Sequence, residues 1–232
     1  MSATTTPTIE EVLDEFLDEQ EARLSPSTFR KYTPTVELLW MHLNGYGHEG
    51  LSESEVERFE RAFEGGDEEA FCHLFGPEKI VEQIPHFLYW FMLRKVMARE
   101  SDLRAAATTS RKLVRWLVER NYVDREEAEL ALEAAASARD DLPAADRLST
   151  LLHDRTGGMF GPEPPQDGAR IVEDYLTIER TEPGALWFEG GLGPVDVPDE
   201  AAKLAKPGWA LWGALACEDG RWRLLEHGIV YP

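Results

Sequence analysis

The side chains able to do chemistry are unevenly placed along this 232-residue chain. A third of its basic residues gather in one stretch. Between His86 and Arg120 stand Arg94, Lys95, Arg99, Arg104, Arg111, Lys112, Arg115 and Arg120, opposed only by Glu100, Asp102 and Glu119, a local surplus of five. Over the whole chain acid prevails: 44 Asp and Glu face 24 Lys and Arg and leave a formal charge of −20. The field of the whole molecule repels polyanions, so a phosphate backbone can be held only where the sign is locally reversed, and this stretch is the place for it. The competing reading pairs these cations with carboxylates of neighbouring helices and makes them part of the scaffold.

The other reactive residue types point to no reaction. Six histidines are scattered, and Cys72-His73 is the nearest approach to a ligand pair. Adjacent residues on a helix project about 100° apart and rarely share an ion, so no metal is expected. Cys72 and Cys217 lie too far apart for a redox or metal spacing. There is no His-Glu-x-x-His, Gly-x-Ser-x-Gly, P-loop or dinucleotide fingerprint, and carboxylates are too frequent for one pair to stand out as acid and base. The glycine-rich run Gly157-Gly158-Met159-Phe160-Gly161 neither follows a strand nor opens a helix bearing Lys-Ser/Thr, and reads as linker. The expectation is a non-enzymatic binding protein without cofactor. Trp209, Trp212 and Trp222, with Trp187, crowd four of the seven tryptophans into the last part of the chain, where exposed rings would stack on bases or grip a peptide. Trp209 and Leu211 share one strand face and Trp212 takes the other, so one ring faces outward unless the helical part covers it.

The elements that must position these residues are legible from caps and periods. Thr8 with Glu11 is a capping box for a helix over 9–23. Ser25-Pro26 starts a second helix that Pro34 kinks and that Gly45 and Gly47 end through a left-handed glycine. Ser52 with Glu55 caps a third. Residues 78–99 form the most apolar helix, 101–119 another with Asn121 as left-handed terminator, and an alanine-rich helix to about 139 precedes a last one from Pro143 to about His153. Residues 154–168 are a Gly/Pro linker. Beyond it the apolar period drops from 3.6 to 2, and five short strands with one helical turn follow, the last two joined at Asp219-Gly220. The fold class is therefore α+β: an all-α bundle at 1–153 and a small antiparallel β-barrel or curled sheet at 169–232.

Residues 8–46, with Thr-Ile-Glu-Glu-Val-Leu-Asp-Glu-Phe-Leu, then Leu-Ser-Pro-Ser-Thr-Phe-Arg-Lys-Tyr and an apolar helix ending in Gly, resemble the SAM-like core-binding domain of phage integrases and tyrosine recombinases. The resemblance resumes at 86–123, with Ser-Arg-Lys-Leu-Val-Arg-Trp-Leu-Val-Glu-Arg-Asn-Tyr-Val, and residues 48–80 interrupt it as an insertion. It implies a helical clamp around DNA, with Tyr32 inside the domain. The family's catalytic domain is missing from the pattern: no His here is followed three positions later by Arg, and too few residues follow the linker. The resemblance thus implies a clamp without chemistry, acting on nucleic acid. The alternative is a protein–protein adaptor that offers its acidic surface to a basic partner. No apolar run reaches the ~20 residues of a membrane span, and Met1 to Pro7 has neither a basic flank nor an apolar signal core, so the protein is read as cytoplasmic.

Overall fold

The computed structural model describes residues 6–156, 164–165 and 168–232. The glycine run at 157–161, and with it most of the 154–168 linker, lies outside the described residues. The chain falls into two compact units, one made of 1–92 and 101–139, the other of 93–100 and 140–232. The second unit thus takes residues 93–100 and 140–153 from the region assigned by sequence to the helical domain.

The first unit is helical because its caps are made locally. Helix α1 (Ile9–Arg23) opens on the Thr8/Glu11 capping box, the Thr8 N–H donating to Glu11 at 2.9 Å. The second expected helix is divided into α2 (Pro26–Phe29) and α3 (Tyr32–Tyr46), so Pro34 sits in the first turn of α3 and kinks nothing. There its missing N–H has no helical partner to lose. Gly47 does not end α3 by a left-handed turn either, since its φ is −58°. A Cβ there would come within 2.6 Å of the Phe71 ring, so close approach of that ring is what requires glycine. Helix α4 (Glu53–Glu64) keeps the Ser52/Glu55 box, whose bonds hold the Glu55 carboxyl down at about 2. Helices α5 (Ala70–Leu74) and α6 (Glu78–His86) follow, and α6 runs through a π-helical turn at Phe87–Phe91 into α7 (Met92–Arg94), which ends short of the expected residue 99.

Helix α8 (Glu100–Glu119) buries Leu103, Leu113, Trp116 and Leu117 and closes as a Schellman motif. Asn121 has φ 57°, Tyr122 N–H donates to Leu117 O at 2.9 Å, and Asn121 N–H donates to Val118 O at 3.1 Å. Helix α9 (Glu129–Arg155) is a single helix that passes through Pro143 instead of restarting there. Pro143 cannot donate to the carbonyl of Arg139 four residues back. The Arg104 guanidinium donates to that carbonyl instead, at 3.3 Å. Early and late helices share one core: Phe16 of α1 meets Trp116 of α8 edge-on at 5.5 Å, and half-buried Tyr32 lies 6.1 Å from Phe16.

The second unit holds β1 (Arg170–Glu182), β2 (Ala185–Phe188), β3 (Leu192–Asp196), the short helix α10 (Asp199–Leu204), β4 (Ala210–Glu218) and β5 (Arg221–Tyr231). Their order, β1-β2-β3-β5-β4 and back to β1, closes in a ring. The sheet is mixed, which corrects the antiparallel expectation: β3 and β5 run parallel, joined at one registered pair, Val195 with Trp222. So thin a seam makes a curled sheet and not a true barrel. Asp219 (φ 49°) and Gly220 (φ 77°) form the β4–β5 turn in the left-handed conformations that a two-residue hairpin demands. Inside the ring Leu176, Ile178, Leu186, Phe188, Leu211 and Leu215 pack with Leu148 and Leu152 from the end of α9.

Candidate functional site

The fold disperses the basic stretch. Arg94, Lys95 and Arg99 belong to the unit that carries the sheet, where an Arg94 Nη lies 3.4 Å from the Tyr231 hydroxyl. Arg104 is occupied with the open carbonyl of α9. Arg120 reaches across to α1, donating to Glu19 at 2.6 Å and lying 3.5 Å from Glu15. Glu19 also accepts from the Trp116 indole N–H at 2.5 Å. The indole bond and then the guanidinium hold the Glu19 carboxyl below its ordinary range, and the same pairing raises Arg120. For Arg120 the scaffold reading is the correct one.

Arg111, Lys112 and Arg115 differ. Among the described residues none of the three makes an ion pair or side-chain hydrogen bond. Arg111 and Arg115 stand one turn apart on the exposed face of α8, and Lys112, on the neighbouring row, is half-buried. The two arginines line a groove of about 550 Å³ between α8 and α9, joined by Arg125 from the connection between those helices. Val118, Leu132 and Ala136 give it an apolar floor, and Glu119 and Glu133 lie among the arginines. Its volume falls within the range of small-ligand clefts, and it lies open to solvent. The sequence reading placed two of its cations, Arg111 and Arg115. It missed Arg125 and the α9 residues, whose only signal was the helical spacing of Leu132, Glu133 and Ala136 on an element whose neighbour was unknown.

The tryptophans are divided as well. Trp209 and Trp222 are 5% and 8% exposed and belong to the ring core, so in this structure little of either ring is offered to the partner expected there. Lys206 lies 5.6 Å over Trp209, and Arg170 lies 5.4 Å over Trp222. Trp212 stands on the outer face, half-buried opposite Tyr175, which is 64% exposed.

Among the described residues no group of three or more His, Cys, Asp or Glu is placed to hold a metal ion. Cys72 and His73 face different surroundings. Cys72 is buried and its thiol is pushed up by that burial, whereas His73 donates from Nδ1 to the Asp67 carboxylate at 3.0 Å and is raised by it. His42 is fully buried, its Nε2 3.2 Å from Gln83 and its Nδ1 without a partner among the described residues, and burial followed by the nearby His86 lowers it to about 4. It is a neutral core residue. No described helix is long and apolar enough to cross a membrane. Comparison with models of known protein families, with curated proteins and with solved structures finds no match.

Proposed function

We propose that this is a non-catalytic, cytoplasmic binding protein whose contact surface is the arginine-lined groove of α8 and α9, and that its partner is negatively charged where it touches that groove. One observation carries the reading. In a chain with 44 acidic and 24 basic residues, Arg111, Arg115 and Arg125 line one groove with no carboxylate in ion-pair range among the described residues. Cations in such an acidic molecule find internal partners readily, as Arg120 does, and a cluster kept open on the surface is suited to an external anion. The test is a binding titration over salt with anionic probes. Substituting Arg111→Glu with Arg115→Glu abolishes capture, and wild-type affinity falls as salt rises; equal capture by both proteins refutes the reading.

A second reading takes the anion to be nucleic acid. It is favoured by the likeness of residues 8–46 and 86–123 to the recombinase core-binding domain, a DNA clamp, and Lys112 beside Arg111 and Arg115 adds a further phosphate partner. A gel shift of duplex and single-stranded oligonucleotides at low salt tests it. No shift at any salt removes it.

A further inference from the structure

We infer that the groove docks an acidic amphipathic segment of a partner protein, a short stretch offering one or two carboxylates to the arginines and an apolar side chain to the floor. The inference rests on the reading of the groove as an anion site and names its occupant. The lining charge is small, three arginines less two glutamates. A duplex presents a charge about every 1.7 Å of its length. Most of those phosphates would lie against a molecule of charge −20, and Glu119 and Glu133 would repel the ones nearest the arginines. A short segment with few carboxylates avoids most of that repulsion and still satisfies Arg111 and Arg115, each of which can hold a carboxylate by two parallel bonds.

The floor makes the same distinction. Val118, Leu132 and Ala136 have no counterpart in a sugar-phosphate backbone, whereas a leucine or phenylalanine would cover them and leave water. Ala136, exposed on α9, is the smallest side chain of the lining. Arginine, an apolar floor and a polar rim together are the composition of an anchoring pocket at a protein interface.

The experiment is a selection of displayed random peptides on the full chain, followed by titration of the recovered peptides and of a duplex oligonucleotide against wild type, Ala136→Phe and the Arg111→Glu/Arg115→Glu double variant. Ala136 and both arginines are exposed, and thermal melts confirm that each variant remains folded. The inference expects recovered sequences that combine Asp or Glu with Leu or Phe, at least about tenfold weaker binding to Ala136→Phe, and loss of binding to the charge-reversed variant. Recovered peptides without carboxylates, or peptides that bind all three proteins alike, overturn it. Oligonucleotide binding lost by the double variant, with no peptide recovered, overturns the peptide occupant and leaves the anion site standing. If neither probe binds, both the inference and the reading beneath it fall.

Discussion

Arg115, on α8, and Arg120, the residue just past its end, carry the same charge, yet their surroundings are opposite. Arg120 is held by Glu15 and Glu19 of α1, and Glu19 is held in turn by the Trp116 indole. Arg115, with Arg111, opens on a groove whose two carboxylates lie beyond ion-pair range. The difference comes from which helix lies alongside. The face of α8 that carries Trp116 meets the acidic first helix, whereas the face that carries Arg111, Arg115, Val118 and Glu119 meets α9, which presents Leu132 and Ala136. A basic run can therefore be scaffold on one helix face and contact surface on another.

The comparison predicts a gradient of effects on stability. The largest belongs to the scaffold face. Trp116→Ala removes the edge contact to Phe16 and the donor to Glu19, and should cost about 3–5 kcal/mol in denaturant unfolding. A loss near zero would mean that this face is no more structural than the groove.

Burial, and not merely the lack of a partner, sets such costs, and His42 sharpens the point. It faces His86, Gln83 and Tyr46, and its folded-state value of about 4 lies below the ordinary 6.5. The unfolded chain then binds this proton more readily than the folded one. Stability is whole above pH 6.5 and is lost as the pH falls from 6.5 toward 4, by roughly 3 kcal/mol in all from this group. His42→Leu should flatten that part of the profile, and an unchanged slope would place the titration elsewhere.

A smaller effect is expected from Glu19→Gln, which keeps an acceptor for the indole but removes the charge facing Arg120. Its melting temperature should fall by less than that of Trp116→Ala, and the deficit should shrink in high salt, because Arg120 is half exposed. The smallest effect belongs to the groove: Arg111→Ala with Arg115→Ala should leave melting unchanged and act on binding alone. A marked loss of stability would place these arginines in the scaffold with Arg120 and end the distinction.

Much of the fold was legible because its signals are local. The boxes at Thr8/Glu11 and Ser52/Glu55, the Asn121 terminator and the Asp219-Gly220 hairpin each close hydrogen bonds or turns within a few residues, so neighbouring residues suffice to specify them. Signals tied to a single residue type were less secure. Pro34 and Pro143 were both read as interruptions, but a proline in the first turn loses no bond, and the carbonyl freed by Pro143 is answered by Arg104, 35 residues away. Gly47 was read for its conformation and is needed for space beside Phe71.

The sequence by itself determined where the capped helices at Thr8 and Ser52 begin, where Asn121 stops one and Asp219-Gly220 turns a hairpin, and that a basic stretch interrupts an acidic chain. Only the tertiary structure decided which cations are neutralised, that Trp209 and Trp222 are core, and that Arg125 joins Arg111 and Arg115 at one groove. Caps and periods depend on atoms a few residues apart. The bond from Arg120 to Glu19 spans 101 residues, and no local pattern records whether such a partner arrives.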